Sequence, residues 1–205
     1  MRWWWVGDDA AAASVCQALG AMAEWPAPTC FGSAEEAIAA RVAQAPDLVV
    51  IQLELPCTSG IQLAQVLRRR TPRPRVLLLS ERGQAVFAIR ARKAGARGFM
   101  RLSAGPQALA EAVRAVAMGK VAIDRETVAA ITASSSDAVT QQLTRLTPRE
   151  FEVLLKVWRG FSREHIAGCL GLRQATVKAH IEALVRRTGC DGPEGLAALQ
   201  PPSGP

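Results

Sequence analysis

"DLVVIQLELPCTSGIQL", residues 47–63, decides the fold. Val49, Val50, Ile51, Leu53 and Leu55 form a nearly continuous apolar run, as expected of a strand covered on both faces in a parallel sheet. The "LP" that follows breaks the run, and "SGIQL" opens a helix. One residue is out of keeping. Gln52 stands near the C-terminal end of the strand, the edge where α/β folds keep their chemistry. A strand built to deliver a functional side chain there delivers a neutral amide.

The same alternation extends in both directions. "RWWWV" (2–6) is an aromatic strand ending at Gly7-Asp8-Asp9, and an Ala-rich helix follows over 10–23. A short extended piece near 28–31 precedes Ser33-Ala34-Glu35-Glu36, a capping-box sequence that opens a second helix. After the strand at 48–53, the pattern predicts a helix at 60–70, a strand at 75–79 and a helix at 84–93. A strand at 98–102 and a helix at 106–118 complete the series. Five strands alternating with five helices imply a doubly wound, flavodoxin-like parallel sheet. Asp8, Asp9, Gln52, Ser80 and the segment "GARGFMRLSAGP" (95–106) then converge on its C-terminal edge.

This pattern resembles the receiver domain of bacterial two-component response regulators over about residues 1–120. "LELP" followed by "SGIQL", and "AGARGF" followed by a proline, carry the resemblance. In that family an acidic pair binds Mg²⁺ and an aspartate ending the third strand accepts a phosphoryl group. A hydroxyl after the fourth strand and a lysine ending the fifth contact the phosphoryl oxygens. The resemblance implies that Asp8 and Asp9 are the acidic pair, Ser80 the hydroxyl and Phe99 the aromatic that reorients on activation. Two positions depart. Gln52 stands in place of the acceptor, and Leu102 in place of the lysine.

The departures have chemical weight. A carboxylate attacks phosphorus and forms an acyl phosphate; a carboxamide is a far poorer nucleophile. The site also lacks one of three carboxylates for a hard cation, and a cation that would offset phosphoryl charge. Arg101 is adjacent to Leu102, but side chains alternate faces along a strand, so Arg101 is expected to point away. The expectation is a degenerate pocket comprising Asp8, Asp9, Gln52, Ser80, Phe99 and Leu102, with no metal and no cofactor.

The C-terminal part reads differently. Residues 126–144 are expected to be a linker, since "TASSSDAVTQQLTR" (132–145) is polar and rich in Ser and Thr. Thr147-Pro148-Arg149-Glu150 then starts a helix, with Thr as N-cap, Pro at the first position and Glu at the third. Phe151, Leu154, Leu155 and Trp158 follow at helical spacing, and Gly160 ends the element. Ser162 caps a short helix at 163–169, Gly171 makes a turn, and a longer helix at about 174–187 buries Val177, Ile181, Leu184 and Val185. Short helix, glycine turn, longer helix is a helix-turn-helix.

"LTPRE", "IAGCLGL" and "ATVKAHI" resemble the LuxR-type DNA-binding domain of NarL/FixJ response regulators over about 145–199. The resemblance implies that the longer helix enters the major groove. Lys178, Ala179 and Glu182 would approach bases, as donor to guanine, neighbour of a thymine methyl and acceptor from cytosine. His180 would flank them. Ser162, Thr176, Arg173 and the pair Arg186-Arg187 suit phosphate contacts. Glu182 either reads cytosine or weakens binding by repelling phosphates. Arg173 replaces the usual Ser/Thr cap of the helix, and Gly195 weakens a last short helix that pairs two such domains in relatives.

The organisation expected is therefore a receiver-like domain at 1–125, a linker at 126–144, a small all-α helix-turn-helix domain at 145–199 and a tail at 200–205. Net charge is +7. Residues 1–125 hold 16 Lys/Arg against 10 Asp/Glu, whereas 126–205 hold 9 against 8, so charge by itself points away from the DNA reader. The arginines clustered at 68–75 and 90–97 are compatible with an anionic partner or with a solvated face. Scattered cysteines without CxxC spacing suit a reducing cytoplasm. No apolar run reaches the ~18 residues a membrane span requires. With only His165 and His180 and no nucleophile–base constellation, an enzyme is not expected. The function expected is a phosphorylation-independent transcription regulator acting on promoter DNA as a homodimer. The alternative is an interaction protein whose receiver surface binds RNA polymerase, a kinase or another regulator, with DNA binding secondary.

Overall fold

Alternating aromatic side chains at the start of the chain make a two-faced strand. In the computed structural model, which describes residues 1–22, 25–40, 45–81, 84–134 and 137–199, β1 (Trp3–Val6) is buried throughout. Trp3 and Trp5 face one way, into a cluster with Val15, Leu19, Val50, Leu79 and Val113. Trp4 faces the other way and meets Phe31 edge-on, with ring centroids 5.0 Å apart. Buried indoles need partners for their N–H groups. Trp3 Nε1 donates to the Pro26 carbonyl at 2.6 Å, and Trp5 Nε1 to the Asp8 carbonyl at 3.0 Å.

The chain continues through α1 (Asp9–Met22), β2 (Thr29–Phe31), α2 (Ala34–Ala39), β3 (Leu48–Gln52), α3 (Gly60–Leu67) and β4 (Arg75–Ser80). Next come α4 (Ala85–Ala94), β5 (Gly98–Arg101), a 3₁₀ turn at Leu102–Ala104, α5 (Pro106–Ala117) and β6 (Ala122–Ile123). The strands form one parallel sheet in the order β2-β1-β3-β4-β5-β6. The inner strands β1, β3 and β4 are largely apolar because helices cover both faces, whereas the edge strand β2 is mostly exposed. Residues of α1 and α5 pack on the Trp3/Trp5 face, and α3 begins against Ile51 and Leu78 on the other.

The sheet has six strands, not the five expected. The additional strand is two residues long, too short for any periodicity, and exists because Ala122 and Ile123 pair with Gly98 and Phe99. The stretch expected as a linker holds the boundary between two compact units, after Ile131. Most of 126–144 is helical, in α6 (Arg125–Ala133) and α7 (Ala138–Arg145). Both helices start in the same way. The Asp124 carboxylate accepts from the Thr127 N–H at 2.8 Å and from its hydroxyl at 2.7 Å. Asp137 does the same for Thr140, at 3.0 Å from the N–H. The aspartate satisfies orphan donors of the first turn, and the pattern Asp-x-x-Thr occurs in "DRET" and "DAVT". Leu143 of α7 is fully buried.

The chain divides into two compact units, Met1–Ile131 and Thr132–Pro205. The second is helical: α7, α8 (Pro148–Trp158), α9 (Arg163–Leu170), α10 (Gln174–Thr188) and α11 (Gly192–Ala198). The tail at 200–205 lies outside the described residues. No described helix is long and apolar enough to cross a membrane.

Candidate functional site: the strand-edge pocket and the helix-turn-helix face

At the C-terminal edge of the sheet, β3 delivers Gln52 to the loop after β1. Gln52 Oε1 accepts a hydrogen bond from the Asp8 N–H at 2.7 Å. The close approach depends on Gly7, whose φ is +146°; a Cβ there would sit 2.3 Å from that oxygen. Any other residue at position 7 would be strained and would expel the amide. Asp8 Oδ1 accepts from the Ala10 N–H at 3.2 Å, an N-terminal cap for α1. Asp8 and Asp9 are both exposed.

The remaining pocket positions reach the same edge on two faces. Gln52 pairs with Leu79, and Ser80 with Arg101. Ser80 and Phe99 are buried and share a face by alternation. Leu102 leaves the strand at the 3₁₀ turn and packs against the Trp3/Trp5 cluster on the other face. Arg101 turns toward the β6–α6 corner, with Nε 3.3 Å from Asp124 Oδ1 and a second contact to Glu126. Burial raises the Asp124 pKa, but the Thr127 and Arg101 hydrogen bonds and the Arg101 charge outweigh it and hold the carboxyl below its usual range. Among the described residues, no group of three or more His, Cys, Asp or Glu side chains is placed to hold a metal ion.

The second unit presents a prepared surface. Thr147 and Glu150 form a reciprocal capping box at the start of α8. Arg187 reaches back to this box, with Nε 3.2 Å from Glu150 Oε1. The sequence pairs Arg187 with Arg186 as a phosphate contact; here its guanidinium braces α8. Ser162 caps α9 by accepting from the His165 N–H at 3.2 Å. Glu164 is held below its usual carboxylate range by its own backbone N–H and the Ser162 hydroxyl. Ser162 is thus first a structural cap. Gly171 closes α9 in the left-handed region at φ +61°, which favours glycine. Arg149 donates to the Leu170 carbonyl at 2.7 Å, and Trp158 to the Leu196 carbonyl at 2.9 Å.

Helix α10 buries Val177, Ile181, Leu184 and Thr188. Val185, expected inside with them, is only half-buried. Thr176, Lys178, Ala179, Glu182 and Arg186 are exposed, and His180 is half-buried. Lys178 Nζ lies 3.8 Å from Glu182 Oε1, one turn apart, so these two charges moderate each other. Arg173 is the N-cap, exposed and without a side-chain capping bond. Gln174 and Ala175, not among the expected contacts, are exposed in the first turn. Their signal is positional, since recognition helices contact bases with their N-terminal residues.

A sheet of this topology joined to a helix-turn-helix defines a receiver coupled to a DNA-binding module. The response regulator receiver domain model matches residues 5–114, and the model for bacterial regulatory proteins of the luxR family matches 144–197. The chain belongs to the LuxR-family response regulators, which are DNA-binding transcription regulators, and its relatives are of the NarL/FixJ type. It is 33% identical to the transcriptional activator protein ExaE of Pseudomonas putida, over 75% of this chain and 73% of that one. It is 32% identical to the DNA-binding transcriptional activator DevR/DosR of Mycobacterium tuberculosis, over 78% and 75%. Among solved structures, RcsB of Salmonella enterica serovar Typhimurium bound to promoter rprA matches with a TM-score of 0.73 over 97% and 98% of the two chains. At 18% identity that likeness shows the fold.

Proposed function

We propose that this protein is a promoter-binding transcription regulator whose receiver has lost phosphoryl acceptance and acts independently of phosphorylation. The observation that carries the reading is the Gln52–Asp8 hydrogen bond of 2.7 Å. The amide occupies the acceptor position and is tied to the loop bearing the acidic pair. The residues present do not fit the Mg²⁺ that the family implies, because one carboxylate is replaced and Asp8 caps a helix. Leu102 offers no cation to a phosphoryl group and packs into apolar surroundings. Ser80 and Phe99 keep the family positions without a phosphoryl group to report.

DNA recognition is assigned to residues 145–199. Lys178, Ala179 and Glu182 face base edges, with His180 beside them and Gln174 as an added candidate from the first turn. Arg173, Thr176, Ser162 and Arg186 hold the phosphates. A single module makes few base contacts, so a homodimer on paired half-sites is the functional form, working in the cytoplasm on double-stranded DNA.

The test treats the full-length protein with acetyl phosphate and Mg²⁺ and reads intact mass and DNA affinity. No mass gain and no change in affinity are expected. A phosphoryl adduct at this pocket, or affinity that responds to acetyl phosphate, overturns the reading. Gln52→Asp restores a nucleophile but crowds three carboxylates, which repel one another. It is expected to accept phosphate slowly, and Gln52→Asp with Leu102→Lys to accept it faster.

A further inference from the structure

The edge of the sheet opposite the degenerate pocket carries a concentration of positive charge around one carboxylate, Asp47, which accepts from the Arg2 N–H at 2.8 Å. Asp47, Pro74-Arg75 and Arg97 stand at the starts of β3, β4 and β5, and Pro72-Arg73 precedes β4. With Gly95 they line a cavity of about 500 Å³. Hydrogen bonds between backbones fix its floor: Arg75 N–H to Asp47 O at 2.9 Å, and Arg97 N–H to Val76 O at 2.8 Å.

The guanidiniums gather at two glycines. At Gly95, in the left-handed region with φ +98°, a Cβ would come 2.7 Å from Arg68 Cδ and 2.8 Å from Arg73 Nη2. At Gly119, Arg97 Nη1 donates to the carbonyl at 3.0 Å, and Arg75 Nε lies 3.8 Å from where a Cβ would be. Arg68 spends one donor on the Lys93 carbonyl at the end of α4. Among the described residues, none of Arg68, Arg73, Arg75 and Arg97 is paired with a carboxylate. Support of the α4 C-terminus accounts for Arg68 and leaves Arg73 and Arg75 unexplained.

Like charges held together around a concave surface repel one another and focus an attractive field for anions. A guanidinium presents a planar fork of donors that matches phosphate oxygens two at a time. The volume falls in the ~300–1,000 Å³ range of small-molecule sites. Pro72 and Pro74 add rigid apolar walls, and Asp47 adds an acceptor for a ligand N–H or hydroxyl. A single phosphate would engage one fork and leave the others unmatched.

We infer that this cavity binds a phosphorylated small molecule of nucleotide size carrying at least two negative charges, held by Arg73, Arg75 and Arg97. The site is separate from the pocket at Gln52 and lies at the other end of the same strands. Its concavity separates it from a surface that grips a nucleic-acid backbone, where charges line an extended groove.

The experiment uses calorimetry on the full-length protein at about 0.15 M salt, with inorganic pyrophosphate as the first probe and ATP as a competitor. One pyrophosphate per chain is expected, displaced by ATP. Arg73→Gln and Arg97→Gln should each weaken pyrophosphate binding about tenfold or more, the loss expected for one charged hydrogen-bonding partner. Arg125→Gln, which removes the same charge from α6, should leave it unchanged. Thermal unfolding of each variant, matched to the parent, shows that the exposed arginines are not needed for folding. Absence of pyrophosphate binding, binding that survives both substitutions, or failure of ATP to compete overturns the inference. So does a loss of affinity for a random-sequence duplex in the Arg73 and Arg97 variants without any pyrophosphate binding. That result assigns the arginines to the DNA backbone.

Discussion

The strand edge at Gln52 and the face of α10 treat their functional positions in opposite ways. At the strand edge, the scaffold that would serve phosphoryl transfer is intact: parallel strands, an acidic loop and a buried hydroxyl. On the proposed reading two of the side chains that would do the chemistry are replaced, at Gln52 and Leu102, and the Gln52 amide accepts from the Asp8 N–H instead. On α10, scaffold and surface agree. The capping box of α8, the Ser162 cap and the Gly171 turn set the helix, and Lys178, Ala179 and Glu182 stand exposed on it. The contrast teaches that a fold and its reaction are held by different residues. Buried apolar strands keep the receiver architecture whatever occupies position 52. On the proposed reading the helix-turn-helix depends for its function on the few side chains that leave its core.

The largest effect that would break the comparison lies under the recognition helix. Leu184 is 0% exposed, and Leu184→Ala should cost about 2–5 kcal/mol through lost burial and the cavity left behind. Circular dichroism on heating should then show an early helical transition, followed by unfolding of the sheet unit at its original temperature. A single shifted transition would mean that the two units unfold as one.

Next in size is Lys178→Ala. Loss of a donor to guanine should reduce specific binding by about 1–3 kcal/mol, with less effect on random sequence. Fluorescence anisotropy on specific and scrambled duplexes measures both. Equal losses on the two would make Lys178 a phosphate contact, and no loss would remove it from the interface.

Arg173→Ser sharpens the account of the helix start by moving two quantities in opposite directions. It restores a cap to α10, which lacks a side-chain capping bond, and should stabilise the unit by about 1 kcal/mol. It also removes a cation, so the slope of log affinity against log salt should fall by about 0.9. A more stable protein with an unchanged slope leaves Arg173 in solvent.

The smallest effect concerns Asp124. Because its folded pKa is depressed, it contributes stability that is present above the ordinary carboxylate value of about 3.9 and lost as pH falls through the folded value. Asp124→Asn should flatten the dependence of sheet-unit stability on pH between about pH 5 and pH 2. Urea titrations across that range test it, and parallel curves would place the ion pair outside the stability balance.

Much of the fold was legible because it rests on local signals. The apolar runs, the Thr147–Glu150 box and the glycine after α9 each specify an element within a few residues. The family positions of Asp8, Gln52, Ser80 and Lys178 are what the resemblance of the surrounding motifs implies. The helices inside the expected linker were hidden by polar composition, although each "Asp-x-x-Thr" was a start signal.

Sequence by itself determined the alternation of strands and helices, the caps and the exposed stripe of α10, since backbone propensity and hydrophobic period act over neighbouring residues. Tertiary structure decided what depends on residues far apart in the chain. Pairing with β5 makes two residues a strand. The Gln52 amide finds the Asp8 N–H across 44 positions. Arg187 pairs with Glu150, 37 residues earlier. Arg73, Arg75 and Arg97 become one cavity only when the starts of three strands are brought side by side, because charge acts through space and takes no account of chain order.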